Sequence, residues 1–432
     1  MNGAEPQHSR RYVNLVVAML TAAVFVEFFH RQVVAVAMNE IRRELALSYT
    51  QLGSLTMVFA AAYAVSAPIL GRVVDRLERR GVYAAGIALW SAATALSGLA
   101  GGFGMLLATR VIAGAGQGAA GATNSPLIVD YVAPERRGGV FALASMGATL
   151  AALVVGAFGW LGVVERFGWR TFFIGSGMLG VVFAAAFAAI VREPTRGWSE
   201  GRAHRPPEEA SPREIFALVR GRTALLNAFA GTALNNIAVF AIAQWVVVFF
   251  ERGHGMSNAS ASGVLMGVAL ACTVGAIAGG VLANRAWTTR PRAVLLVPAV
   301  CSALAAPMLI VGATASSSAV AIALYSATGV LALVHSAPAG AAMQGMIPDR
   351  MRGIVTGVIA SLMTLIGLGG GPLITGMLSD LFGGTADPES IGRALSCVAL
   401  LFLWAGAHFA LAARHLSRDL ASTASEASER AA

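Results

Sequence analysis

Apolar residues in this chain come in long blocks, and charged or turn-forming residues are confined to short stretches between them. A helix needs roughly 20 mostly apolar residues to cross a bilayer. Twelve blocks meet that length, at 13–38, 50–71, 81–101, 103–131, 139–164, 170–191, 223–250, 260–283, 292–313, 317–345, 353–380 and 391–414. They predict an all-α membrane protein with twelve transmembrane helices. Many blocks are rich in Gly and Ala, small residues that let membrane helices approach closely. The first block follows Arg10 and Arg11. It is too long for a signal-peptide core and shows no small-residue cleavage site, so it reads as a retained first span.

The polar breaks divide the chain further. The longest, "VREPTRGWSEGRAHRPPEEASPREIF", has the Pro, Gly and mixed charge of a solvated linker and falls between the sixth and seventh blocks. The predicted organisation is a six-helix half over 1–192, a cytoplasmic linker over 193–221, a second six-helix half over 222–415 and a short polar tail over 416–432. With the N-terminus inside, 23 arginines fall on inner segments and 6 on outer ones. Basic loops stay on the cytoplasmic side. Both termini are therefore expected in the cytoplasm, in a multi-pass protein of the cytoplasmic (inner) membrane.

The halves also repeat. Gly71, Asp75 and Arg76 after the second block align with Gly280, Asn284 and Arg285 after the eighth, at an offset of 209 residues. "APERRGG" after the fourth matches "IPDRMRG" after the tenth, Pro134 to Pro348, at 214. Two loops matching at nearly one offset argue for duplicated halves in parallel orientation. Such repeats mark transporters, with the substrate site near the midplane.

Composition narrows the functions. The chain is 56% hydrophobic and 12% charged, against about 25% charged in soluble domains. Its net charge of +9 is spread over short interhelical clusters, without the basic domain that nucleic-acid binding needs. All 31 basic residues are Arg, which excludes Schiff-base chemistry at a lysine. Cys272, Cys301 and Cys397 lie in apolar runs without CxxC spacing and read as small buried residues, implying neither disulfide nor metal. HExxH, GxSxG and Walker patterns are missing from the sequence, so neither an enzyme, nor a cofactor, nor ATP-driven pumping is expected.

Gly71-x-x-x-Asp75-Arg76-x-x-Arg79-Arg80 resembles the best-known loop motif of the major facilitator superfamily, at its expected place in a 6+6 chain. The resemblance covers nearly the whole chain. It implies the major facilitator fold, alternating access, a monomer by default, and a gating role for Gly71, Asp75, Arg76 and Arg79. Two branches are nearest. "VREPTRG" and "GLGGGPLITGMLSD" resemble spinster-like transporters of lysolipids and sphingolipids; "LSYTQLGSL" and "LWSAATALSG" fit these or the organic anion transporters of the anion:cation symporter branch. Both branches typically carry Asp-Arg in helix 1 and Arg with Glu seven residues on in helix 4. Here those places hold His30-Arg31 and Arg110…Gln117. Gln cannot titrate, so the family's carboxylate-based proton coupling does not carry over directly.

Charges inside spans are costly, at least about 2.5–3.5 kcal/mol each on insertion scales. Glu27, Arg31 and Arg110 are therefore read as functional. Arg31 lies about 12 Å and Arg110 about 9–10 Å below the outer surface, with Gln117 about 10 Å deeper, near the level of Glu27. Glu27, His30 and Arg31 are related by i+3 and i+4 and are expected on one face. Arg110, Gly114 and Gln117 repeat that spacing. The expectation is one positive cavity lined by both arginines, suited to a carboxylate or phosphate. Pairing of Glu27 with Arg31 or Arg110 only to tie helices together is the alternative. Glu27 and His30 are the candidate proton carriers, coupling by protons being one of several possible drives. Asn235, Asn236 and His335 are the candidate substrate contacts of the second half.

The function expected is secondary transport of a small organic anion across the lipid bilayer. A spinster-like transporter of lysolipid or amphiphilic anions is the second reading. A transporter-like sensor without flux is the third; the roughly 18 residues after the last span are too few for a signalling domain.

Overall fold

The computed structural model describes residues 9–195, 211–287, 290–348 and 351–431. The described residues are helical throughout, without a strand. The helices are α1 (Arg10–Leu45), α2 (Tyr49–Arg76), α3 (Arg79–Ser97), α4 (Phe103–Tyr131), α5 (Pro134–Trp160), α6 (Val163–Ile190), α7 (Pro212–Gly221), α8 (Thr223–His254), α9 (Asn258–Ala286), α10 (Ala293–Thr314), α11 (Ser318–Leu333), α12 (Ser336–Gly345), α13 (Arg352–Met363), α14 (Gly370–Leu381) and α15 (Ser390–Ala431). Among the described residues, ten helical segments, counting α11 with α12 and α13 with α14 as one each, are long and apolar enough to cross a membrane. The remaining two predicted spans correspond to α3 and α4, which fall outside that set.

Two compact units emerge. One comprises Met1–Leu47 and Val58–Pro206, the other Ser48–Met57 and Pro207–Ala432. In the first, α1 packs on α5, and α3 on α4 and α6. Small residues make this possible: a Cβ on Gly147 of α5 would lie 2.6 Å from the Thr21 carbonyl of α1, and one on Gly177 of α6 would lie 2.4 Å from Ala95 N of α3. In the second, α15 lies along α8 and α10, and α11 along α9 and α10. Its buried core along the middle of α15 joins Leu225, Met346, Ile347, Phe409 and Leu416.

The structure adds four local features to the sequence reading. The tenth predicted span is two helices, broken at Val334–His335. The eleventh carries a π-helical turn over Thr364–Gly369, a geometry common at functional sites. The tail predicted from 416 continues as helix in α15. Most of the predicted linker, residues 196–210, lies outside the described residues, but its end forms α7. There Ser211 accepts from Glu214 N while the Glu214 side chain accepts from Ser211 N, a capping box with Pro212 at the first helical position. Cys397 is exposed on α15, and Cys272 and Cys301 are partly so.

The second unit includes the first turns of α2. Asp380, at the end of α14, accepts from the backbone N–H groups of Tyr49 (3.1 Å) and Thr50 (2.8 Å). A helix start leaves such donors unpaired and favours a carboxylate there.

Candidate functional site

The mid-span acid and base of α1 pair with each other. Arg31 Nη2 donates to Glu27 Oε1, one helical turn away, and both side chains are about nine-tenths buried. Arg31 Nε donates to Gln117 Oε1 of α4 at 2.7 Å, and Gln117 Nε2 donates back to the Glu27 carbonyl at 3.3 Å. Gln117 thus sits at the level of Glu27, as the depth estimate predicts. The guanidinium lies 4.8 Å from the Phe28 ring centroid, 5.1 Å from Tyr63 and 5.8 Å from Phe59. Arginine over aromatic faces is stabilised by the ring quadrupole. The site is an acid, a base and an amide set in an aromatic surround. Tyr63 and Phe59 were not anticipated; only helical periodicity along α2 could have placed them.

His30 and Arg110 do not join this cluster. Successive residues on a helix are turned by about 100°, so His30 and Arg31 diverge even though each neighbours Glu27. His30 Nε2 bonds the Ser176 carbonyl of α6 at 3.1 Å. Arg110 Nη2 donates to Ser97 Oγ of α3 at 2.9 Å, and its guanidinium is 6.0 Å from the Phe173 ring of α6. Ser97 also donates to Thr109 at 2.8 Å. Gly114 is a packing residue: a Cβ there would lie 2.2 Å from the Phe59 carbonyl of α2. The expected single cavity lined by both arginines is therefore not what the first unit builds. Arg110 lies two helical turns from Gln117, and at that level the helix beside α4 is α3.

In the second unit, Asn235 of α8 is fully buried. Its Nδ2 donates to the Ala332 carbonyl (2.9 Å) and lies 3.2 Å from His335 Nδ1, while Ser302 Oγ of α10 donates to its Oδ1 (3.1 Å). His335 sits at the α11–α12 break with its ring against Phe409. Asn236 faces elsewhere: its Nδ2 is 3.8 Å from Met363 Sδ, and its Cβ abuts Gly367 in the π-helical turn. The two amides predicted as one lining thus belong to two contacts. His408 Nδ1 lies 2.8 Å from Asn227 Oδ1, a helix-to-helix contact.

Of the predicted loop residues, Arg79 is buried and pairs with Asp130 at the end of α4. Glu193 accepts from Arg79 N (3.0 Å) and Arg80 N (2.9 Å), capping α3 from the segment after α6. Asp130 and Glu193 escaped sequence reasoning, although Glu193 lies in the quoted "VREPTRG". Arg76 is exposed, and a side chain at Gly71 would meet nothing within 4 Å. The side chain of Asp75 is not among those described.

Comparison with known proteins agrees with this architecture. The Major Facilitator Superfamily family model matches residues 20–372. A hexuronate transporter of Bacillus subtilis (strain 168) is 25% identical over 85% of this chain and 88% of its own length. Human protein spinster homolog 1 is 27% identical over 91% of this chain and 78% of its own. A crystal structure of a bacterial homolog of the human lysosomal transporter spinster, inward-facing and unoccupied, superposes with a TM-score of 0.87 at 23% identity, over 95% of this chain and 99% of that one. With helices built to cross a membrane, a buried polar cluster in the first of them and this match over most of its length, the chain belongs to the Major Facilitator Superfamily, as a multi-pass, non-enzymatic membrane transporter of a small-molecule substrate.

Proposed function

We propose that this protein carries a small organic anion, of the sugar-acid or simple carboxylate class, across the cytoplasmic membrane by alternating access. The observation that carries the reading is Arg31. It is held in mid-span by Glu27 and Gln117, which engage Nη2 and Nε. A guanidinium has five N–H donors in a fork that fits a carboxylate. An arriving carboxylate would compete with Glu27 for that fork. Glu27, released, becomes the natural proton acceptor, which makes the pair a coupling element and Glu27 a better proton carrier than His30. The similarity to a hexuronate transporter supports the substrate class. Arg110, Asn235 and His335 take supporting roles in this reading, fixing helices around the path, while Asn236 beside the π-helical turn keeps a candidate contact with substrate.

The same proposal includes the twelve-span, two-half organisation with both termini in the cytoplasm, action as a monomer, and gating by the Gly71–Arg79 loop. Arg79, Asp130 and Glu193 give that loop a fixed inner anchor.

A second reading is a spinster-like transporter of amphiphilic anions. The aromatic surround of Arg31 and the likeness to human spinster homolog 1 favour it. One experiment separates the two. Purified protein and its Arg31→Ala variant are screened by thermal shift against sugar acids, mono- and dicarboxylates, aromatic acids and lysophospholipids, and hits are followed by flux into proteoliposomes. A ligand at 100 times its Kd adds about 2.7 kcal/mol. Stabilisation by a small acid that Arg31→Ala abolishes, with flux, supports the first reading. Stabilisation by lysolipid alone supports the second. Binding without flux points to a sensor, and stabilisation unchanged in Arg31→Ala removes Arg31 from the site.

A further inference from the structure

Outside the Arg31 cluster, the first unit contains a cavity of about 440 Å³ between α1, α5 and α6. Its volume falls in the range of small-molecule pockets, about 300–1,000 Å³. Phe25 and Phe29 of α1, Phe158 of α5, and Phe167 and Phe172 of α6 supply most of its wall. Its rim is uncovered by the rest of the chain: Phe167 is 64% and Leu179 73% exposed. Leu179 lies in the middle of a helix with the length and hydropathy of a membrane span, where lipid hydrocarbon would meet it, and Phe167 lies at that helix's start. Arg31, Glu27 and Gln117 take no part in the lining.

Three polar side chains border this apolar space, Thr171, Ser176 and His30, and of these His30 holds a buried polar atom without a partner. His30 is 3% exposed and lines the cavity. Its Nε2 faces the Ser176 carbonyl, which can only accept, so Nε2 carries the proton and Nδ1 of the neutral ring presents a lone pair. Nδ1 is buried without a hydrogen-bond partner. A second such atom is near: Ser91 Oγ of α3 is also buried and unpartnered. A Cβ placed on Gly180, itself a lining residue, would lie 2.3 Å from Ser91 Oγ and 2.8 Å from His30 Cε1. Buried polar atoms are nearly always paired, and each exception asks for a partner.

We propose that this cavity is a binding site for a bilayer-borne amphiphile: one alkyl chain ending in a hydrogen-bond donor, such as a long-chain alcohol or a protonated fatty acid. The chain fills the phenylalanine-lined space from the lipid side. Its terminal O–H donates to His30 Nδ1, and Ser91 Oγ lies close enough to join through the gap at Gly180. A donor is required because the open nitrogen can only accept. The site is separate from the proposed anion path, so the inference stands whether or not the anion reading does.

The test uses the full chain in phosphatidylcholine nanodiscs and a diazirine-bearing hexadecanol, with the methyl ether of the same probe as the donor-free arm. After photolysis, labelled residues are mapped by mass spectrometry. The alcohol is expected to label α5 and α6 at the cavity wall. The ether is expected to label it roughly fivefold less, the equivalent of one net hydrogen bond of about 1 kcal/mol. Gly175 lines the cavity and a Cβ there would meet nothing within 4 Å, so Gly175→Leu extends into the space from an open position and abolishes the labelling. Thr171→Phe, at a second lining position, is the independent blocking variant should Gly175→Leu fail to fold. His30→Phe removes the preference for alcohol over ether. Equal labelling by both probes that neither blocking variant reduces means annular lipid contact only and overturns the proposal, as does an undiminished preference for the alcohol in His30→Phe.

Discussion

In the first unit, the polar residues of the first span carry charge: Glu27 and Arg31 pair across one turn of α1, and Gln117 reaches both from α4. In the second unit, the long apolar helix α8 carries Asn235, which meets Ser302 and His335 in a buried network. The difference is one of completeness. Asn235 has its carbonyl oxygen and amide nitrogen bonded inside the unit, leaving little to offer a ligand. An ion pair within hydrocarbon is held only while nothing better presents itself, and an anionic ligand is such a competitor. The first unit thus holds a charged pair where the second holds a fixed, uncharged polar joint.

The sharpest way to break this contrast is Arg31→Ala. It leaves Glu27 buried without its partner, which costs about 3–5 kcal/mol. Thermal unfolding should show the loss, and Glu27→Gln added to it should recover most of the stability without restoring flux. Recovered flux in the double variant would make the pair purely structural. Asn235→Ala should lower stability by about 1–2 kcal/mol, as neutral hydrogen bonds between membrane helices do, and leave the Kd of any anion found by the screen unchanged. A tenfold weaker Kd would return Asn235 to the substrate path. Gln117→Glu places a titratable group against Arg31 Nε and removes the donor to the Glu27 carbonyl. Ligand-induced stabilisation should then become pH-dependent, and a flat profile from pH 5 to 8 would separate Gln117 from coupling. The smallest effect lies outside both clusters. Ser211→Ala removes the α7 capping box, worth about 1 kcal/mol, and should raise hydrogen exchange across Pro212–Gly221 with transport unaffected.

The helical architecture was legible because bilayer thickness dictates the length of apolar blocks, and charged breaks are costly anywhere else. Breaks within apolar blocks were not. The break at His335 had one signal in "ALVHSAPAG", Pro338, which has no N–H for the Val334 carbonyl and kinks a helix one turn before itself, and block length alone passes over it. The Glu27–Arg31 pair was readable from i, i+4 spacing, and Gln117 from depth. The shared face assigned to His30 was not, because 100° per residue separates it from Arg31 and the identity of the neighbouring helix decides the rest. The partner of Arg110 was not readable for the same reason: Ser97 belongs to a helix whose position depends on tertiary packing. The α7 capping box was available in "SPRE", hidden inside a stretch whose composition argued for a linker.

The cap that Asp380 places on α2 has a consequence for mutational robustness. Both bonds are to main-chain N–H groups, of Tyr49 and Thr50, which every residue except proline supplies. At Thr50, which is only half-buried, side-chain changes therefore leave the donor in place, whereas Tyr49 is also fixed by its buried ring against Trp245. A library randomising position 50 should tolerate most residues while rejecting proline. Randomising position 380 should return Asp and little else beyond its nearest acceptor analogues.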